Sequence, residues 1–416
     1  MEPSELQSYL ARRSDFHQKL AGAWPATVSD PFDILDPLRL SRSELSNIAD
    51  TAAAIAGIYR SFLRHLRHAC NDTLRELGIP EALNPLVRTT SHDIELPFLA
   101  RVDLARSDSG YKMLEINGEA PGFLVEAFPI CAAANAHSGG TNPNAAGERK
   151  LVEALRRTTG RAAARMRRPL ESLRVAFSAH DPFARDREEA LYLMSLLDGA
   201  ATDYVPFEQL TADRDGLYDA TGRRIDILVR MFSLRVFSTG ASPFSPSVSV
   251  TRLAQLVEDG KLTLVGAPVG LLVDCKSVQA AIWGLRSNRE FFTPDQQRTI
   301  ESVMLPTFLD LPDDMDRYVI KPKLGFNSDT IKIVDKRTAT ILASPAQTYA
   351  GEDMVYQQYV ELPAINVMTE YGAADLSFLA SCFLVDGEPC GVVFRAGTGI
   401  TNYDWWLVPV TESRDL

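Results

Sequence analysis

Cysteine is scarce in this chain of 416 residues: Cys70, Cys131, Cys275, Cys382 and Cys390 stand far apart, with no CxxC pair. That spacing supports neither a disulfide framework nor a cysteine zinc site, and it fits buried thiols in a reducing compartment. The six histidines are as scattered. His65 and His68 fall three apart on one helix face with no third ligand near them in sequence, so a solvated face is the simpler reading. Positive charge is also short, and the formal net charge is −11. Such a surface repels nucleic-acid phosphates and tolerates a cationic amine, although solubility alone accounts for it. No apolar run approaches the roughly 18 residues of a membrane span. Met1–Lys19 lacks the basic segment and apolar core of a signal peptide. Together these absences lead us to expect a cytoplasmic protein with neither nucleic acid nor membrane as partner.

What is present is the composition of an ordinary globular protein, 45% hydrophobic and 23% charged, enough for a large core or several merged lobes. Ser41-Arg42-Ser43-Glu44 reads as a capping box. Behind it Leu45, Ile48, Ala52, Ile55, Tyr59, Phe62 and Leu66 recur at helical spacing, which predicts a long helix reaching Leu77. The period then becomes two. Phe98–Leu104 and Tyr111–Asn117 alternate about the turn-forming run Arg106–Gly110 and predict a β-hairpin. Helices over Leu151–Arg168 and Glu188–Leu197 alternate with strands over Leu173–Ser178, Thr202–Phe207 and Ile225–Met231, the signature of an α/β lobe. Ser238–Ser249 reads as a Ser/Pro-rich loop, Leu253–Leu262 as a helix, and Leu264–Leu272 leads into another helix from Ser277. The last third carries short strands over Arg317–Lys323, Thr330–Val334, Met354–Val360, Phe378–Leu384, Gly391–Phe394 and Trp406–Val410, a density that predicts antiparallel sheet.

The hairpin is where chemistry first concentrates. Arg101 and Asp103 sit two apart and therefore share a face, as do Glu115 and Asn117 on the partner strand. Carboxylate and amide oxygens are the hard ligands Mg²⁺ takes, and an ion pair on a solvated hairpin face accounts for the spacing equally well. The second concentration is Tyr318-Val319-Ile320-Lys321-Pro322, a lysine ending an apolar strand before the loop Leu324–Ser328. Nine of the 43 basic residues are lysines, so a lysine here fits a phosphate contact, given how differently the two cations bind, and a surface lysine accounts for it as well.

In order along the chain, these pieces resemble the glutathionylspermidine synthetase family. Arg101-x-Asp103 followed by Glu115-x-Asn117 and Pro121 is similar to its metal-binding hairpin. The likeness continues through Asp215–Asp226, Lys276 before an aliphatic helix, Lys321-Pro322, Val355–Val360, and Gly391–Arg395 with Thr401, Asn402 and Pro409. It covers about residue 40 to the C-terminus, the synthetase part without the amidase domain of bifunctional members. The metal hairpin precedes both lysines, the circularly permuted order of an ATP-grasp fold.

The resemblance implies an α/β (α+β) architecture: antiparallel sheet lobes around a nucleotide crevice, with an inserted α/β lobe over about 165–270 inside a catalytic region 41–416, after an N-terminal segment 1–40. It implies ATP and Mg²⁺, with Asp103, Glu115 and Asn117 as metal ligands and Lys276 and Lys321 on the phosphates. Gln357 and Tyr359 would hold the adenine side, Asn402 would line the site, and Arg101 and Arg395 would meet the transferring phosphoryl group and the donor carboxylate. The implied activity is a carboxylate–amine ligase, with an amino acid or short peptide as donor and a small amine or amino acid as acceptor. An acyl phosphate would need shielding, and Leu324–Asp329 is the expected lid. Three departures bear on the substrates: Gly118–Gly122 lacks the family's hydroxyls, Phe326-Asn327-Ser328 replaces its Arg-Glu-Gly, and a position the family keeps acidic falls at Arg235. Open alternatives are an ATP-grasp kinase and a ligase acting on a carrier protein's thiol.

Overall fold

The structure, a computed structural model, describes residues 3–23, 34–88, 96–237, 241–242, 245–400 and 405–413. Three larger sheets organise it. The largest has six antiparallel strands. The hairpin strands Leu99–Ser107 and Gly110–Asn117 lie at one end, followed by Gly372–Val385, Glu388–Gly397 and Trp406–Val408, with Ala364–Thr369 also paired to Gly372–Val385. The second is antiparallel, in the order Thr307–Phe308, Met354–Gln358, Arg317–Pro322, Lys332–Asp335 and Thr340–Ala343. The third is parallel, in the order Thr263–Val265, Ile227–Met231, Arg174–Ala179 and Ala201–Tyr204. The first two flank a crevice; the third belongs to the α/β lobe. Among the described residues no helix is long and apolar enough to cross a membrane.

The helix Arg42–Leu66 lays Ile48, Ala52, Ile55, Tyr59 and Phe62 into the core, as its apolar period requires. It ends at Leu66 rather than Leu77, and a separate helix Asn71–Glu76 follows. Asn71 and Asp72 favour helix starts over interiors because their side chains compete for backbone groups. Leu74 and Leu77 thereby reach the core from a new direction. The capping box is half realised. Ser41 Oγ accepts from Glu44 N at 3.1 Å, while the Glu44 carboxylate takes the Tyr111 hydroxyl at 2.9 Å and Arg106 at 3.0 Å. Within the expected Ser238–Ser249 loop, Ala241–Ser242 pairs with Ser245–Ser249 instead.

The Asp215–Asp226 motif builds a turn. Asp219 accepts from Thr221 N and Arg223 N and pairs with Arg174 at 2.7 Å. Asp226 accepts from Arg174 N and Arg168. Its acids therefore tie the small sheet Thr211–Ala212, Leu217–Tyr218, Arg224–Ile225 to the parallel one.

Candidate active site

In the hairpin, Arg101 faces Asn117 and Asp103 faces Glu115 across the strands. Asp103 is the hub. Arg101 grips it with Nε to Oδ1 at 2.8 Å and Nη2 to Oδ2 at 2.9 Å. Three more donors converge on it: Ser381 Oγ at 2.7 Å, Arg395 Nη2 at 2.6 Å and Asn117 Nδ2 at 3.2 Å. The Asp103 side chain is 1% exposed. Burial alone would raise its pKa, but the Arg101 and Arg395 guanidiniums outweigh burial and hold the carboxyl well below the usual range. Burial pulls the Arg395 guanidinium down from its ordinary value, with Asp103 opposing it. Beneath these groups lies the Phe123 ring, with the Arg101, Arg185 and Arg395 guanidiniums 4.8, 5.2 and 5.7 Å from its centroid, an arrangement of cation–π type.

Between Asp103 and Leu104 the register slips. Asp103 opposes Glu115 and Leu104 opposes Met113, so Leu114 is the extra residue of a β-bulge. Its carbonyl accepts from Lys321 Nζ and from Gln357 Nε2, each at 3.1 Å. The bulge thus joins the two sheets across the crevice floor. Lys276 reaches the same place from another element. Its ammonium lies 3.4 Å from Glu115 Oε2 and donates to the Gly325 carbonyl at 3.0 Å. Burial lowers the Lys321 pKa to about 8, against the pull of Glu115. Glu115 is itself held below its ordinary value: burial opposes this, and Lys276 and Lys321 overcome it.

Lys276 stands at the start of the helix Lys276–Gly284, directly after the short helix Val269–Asp274. That helix comes against the hairpin's end because two glycines meet there. A Cβ on Gly118 would lie 2.9 Å from Val273 atoms, and one on Gly270 would lie 2.2 Å from the Gly118 carbonyl oxygen. The buried Asp274 carboxylate then accepts from Gly118 N and Glu119 N. Burial, reinforced by Glu119, raises its pKa to about 7.

Asp103, Glu115, Lys321, Gln357, Tyr359 and Arg395 line one crevice open to solvent. Glu115, Asn117 and Lys276 line its continuation beneath Gly325–Asp329. Arg101 stands behind Asp103. Asn402 lies outside the described residues. The structure thus brings the other expected residues to one crevice, and two of them are engaged within the protein. The Gln357 amide bonds to the Leu114 carbonyl, and the Tyr359 ring is covered by Arg317 at 3.9 Å. In the loop expected as a lid, Leu324 is buried in the main core. In the tip, Asn327, Ser328 and Thr330 adopt φ of 53°, 57° and 62°, a region that L-residues other than glycine enter at a cost.

Sequence reasoning missed Ser381, Phe123 and Asp274. Ser381 had a signal, as a hydroxyl inside the apolar run Phe378–Leu384; Phe123 had none. The donor set suits a hard cation. Glu115 and Asn117 open into the narrow part of the crevice beneath Gly325–Asp329, and Asp103 stands across from Glu115, although its oxygens already take five hydrogen bonds.

Residues 36–411 match the sequence profile of a family described as glutathionylspermidine synthase preATP-grasp. Among curated proteins no match was found. Of solved structures, a glutathione synthetase-like effector from Globodera pallida in its apo form superposes with a TM-score of 0.61 at 13% identity, covering 99% of this chain and 98% of that one. A putative gamma-glutamylcysteine synthetase from Methylobacillus flagellatus KT has a TM-score of 0.44 at 10% identity, covering 86% of each chain. The fold is of the ATP-grasp type, as the ordered motifs imply.

Proposed function

This chain belongs to the glutathionylspermidine synthase family, a family of ligase type, and from that premise we propose that it is an ATP- and Mg²⁺-dependent carboxylate–amine ligase. One observation carries the reading. Two buried lysines, Lys276 and Lys321, face Glu115 at one end of a crevice whose other wall holds Arg395 and Arg101 on Asp103. Charges buried in this way are costly unless they meet a ligand of opposite sign. A nucleotide supplies it, with the base toward Gln358–Leu362 and Trp405 and the phosphates on Lys321 and Lys276.

Glu115, Asn117 and Asp103 would hold Mg²⁺, which supplies charge neutralisation to the phosphate oxygens. An oxygen of the donor carboxylate attacks the γ-phosphorus, the bond to ADP breaks, and an acyl phosphate results. The acceptor nitrogen then attacks the acyl carbon, loses a proton, and phosphate leaves with its oxygen. Neither step needs a covalent protein nucleophile. Positioning and charge neutralisation suffice; Arg395 would provide both beside the transferring group, with Arg101 adding its charge from behind Asp103. The donor is an amino acid or short peptide and the acceptor a small amine or amino acid.

The test is ADP release across paired amino acids and amines, with mass spectrometry of the products and hydroxylamine as a trap for the acyl phosphate. An amide with stoichiometric ADP and phosphate supports the reading. A stable phosphoester establishes a kinase instead, and failure of ATP to bind defeats both.

A further inference from the structure

Beyond the phosphate end of the crevice, the surroundings belong to the α/β lobe. In open sheets of this kind ligands lie outside the carboxyl ends of the parallel strands. The strand Ile227–Met231 ends there and runs on into Ser233, Leu234 and Arg235. This segment is fastened to the loop after the hairpin: Leu234 N and Ser233 Oγ donate to Glu119 at 2.7 and 3.3 Å. Arg235 therefore stands between that loop and the tip at Phe326.

The Arg235 guanidinium lies 4.4 Å from the Tyr349 ring centroid and 5.8 Å from that of Phe326. Phe326 lines the same cavity as Glu115, Asn117 and Lys276. The Arg235 side chain is 15% exposed and pairs with Glu352 through Nη2. Its Nη1 is buried with no hydrogen-bond partner among the described residues. A buried guanidinium N–H without an acceptor is costly and calls for a ligand oxygen.

The acids around the Arg235 segment and the loop it is fastened to are already paired. Glu119 is held by Arg230 at 2.5 Å, Glu126 by Arg185 at 2.7 Å, and Glu352 by Arg235 itself. Asp329, which lines the same cavity as Phe326, accepts from Thr330 Oγ1 and Thr348 N and forms no ion pair among the described residues, so it is the acid an ammonium could meet, whereas a carboxylate would complete Arg235.

We propose that Arg235 selects an acceptor that carries its own carboxylate, an amino acid rather than a polyamine. This deepens the ligase reading and rests on it. The acceptor's carboxylate takes the Nη1 hydrogen of Arg235 and directs its amine toward the Glu115–Lys276 end.

The test uses the full chain saturated with Mg²⁺ and a non-hydrolysable ATP analogue. Proteinogenic amino acids, β-alanine and γ-aminobutyrate are titrated against their decarboxylated amines and spermidine by calorimetry. At least one amino acid is expected to bind ~10-fold or more tightly than its amine, the scale of one charge-assisted hydrogen bond. Arg235→Ala should erase that preference and Arg235→Lys keep part of it, with affinity for the analogue unchanged in both. A preference that survives Arg235→Ala, spermidine binding as tightly as any amino acid, or no amino acid binding at all overturns the proposal. If the analogue itself fails to bind the wild type, the ligase reading falls and takes this inference with it. If the analogue binds without discrimination among acceptors, only the inference falls.

Discussion

On the hairpin wall of the crevice, the Asp103 side chain is 1% exposed and takes five hydrogen bonds from four side chains. Across from it, the strand Thr340–Ala343 is exposed along its whole length, with Ile341 66% and Leu342 45% exposed. The first wall has its charges in place before any ligand arrives. The second carries apolar side chains in water and a tip with three left-handed non-glycine residues. Fixed dipoles and charges act on a reacting group without reorganising, whereas a wall that must admit a nucleotide has to move. Under the proposed function, electrostatics would fall to the first wall and closure to the second.

The largest expected effect breaks the first wall. Asp103→Ala leaves the buried Arg101 and Arg395 without their shared carboxylate, and uncompensated buried charge of that kind costs about 3–5 kcal/mol. Urea unfolding should show this loss together with absent ADP release. A variant that is both stable and active would remove Asp103 from the centre of the site.

Glu115→Gln separates chemistry from stability on the same wall. Glu115 faces the crevice and Lys276 rather than a closed network. Turnover should fall at least ~100-fold, about 2.7 kcal/mol of barrier, with a much smaller shift in the urea midpoint than Asp103→Ala. Equal loss of stability in the two variants would mean that Glu115 is structural.

The next effect lies between the walls. Lys321 titrates near 8 in the ligand-free protein, below its ordinary 10.5, chiefly because it is buried. Below pH 8 it is already charged and meets phosphate directly. Above pH 8 it must take up a proton on binding, at about 1.4 kcal/mol, or tenfold, per pH unit. Affinity for an ATP analogue should therefore weaken as pH rises from 8 toward 10, and Lys321→Arg should flatten that slope. A wild-type profile flat across this window would contradict the placement of Lys321 on phosphate.

The smallest effect sharpens the second wall. Amide exchange and proteolysis over Phe326–Thr330 should slow when Mg²⁺ and the ATP analogue bind. Ser328→Gly relieves a left-handed residue, a gain of about 1–2 kcal/mol that glycine's extra unfolded-state entropy offsets by about 0.5–1 kcal/mol. Net stability should rise by no more than about 1.5 kcal/mol, with faster exchange in the ligand-free loop. Protection unchanged by the nucleotide would make this tip a plain turn.

Much of the site is legible in local pattern. Alternation places Arg101 beside Asp103 and Glu115 beside Asn117, because side chains two apart on a strand share a face whatever surrounds them. Lys321 at the end of an apolar strand is readable for the same reason. The boundary of the helix after Ser41 is less so. Its apolar period runs on past Leu66, and the break before Asn71 depends on where Leu74 and Leu77 find core.

By itself, then, the sequence determined the hairpin, its facing charges and the order of the two lysines. Only the tertiary structure decided how those groups are used. Ser381 reaches Asp103 from 278 residues away, and the Leu114 carbonyl receives Lys321 and Gln357 only because a bulge turns it across the crevice. Lys276 meets Glu115 only because Gly118 and Gly270 let two backbones touch. Periodicity records which face a residue occupies. It carries no record of the register between distant strands or of how closely two backbones approach, and those set whether a buried charge finds its partner.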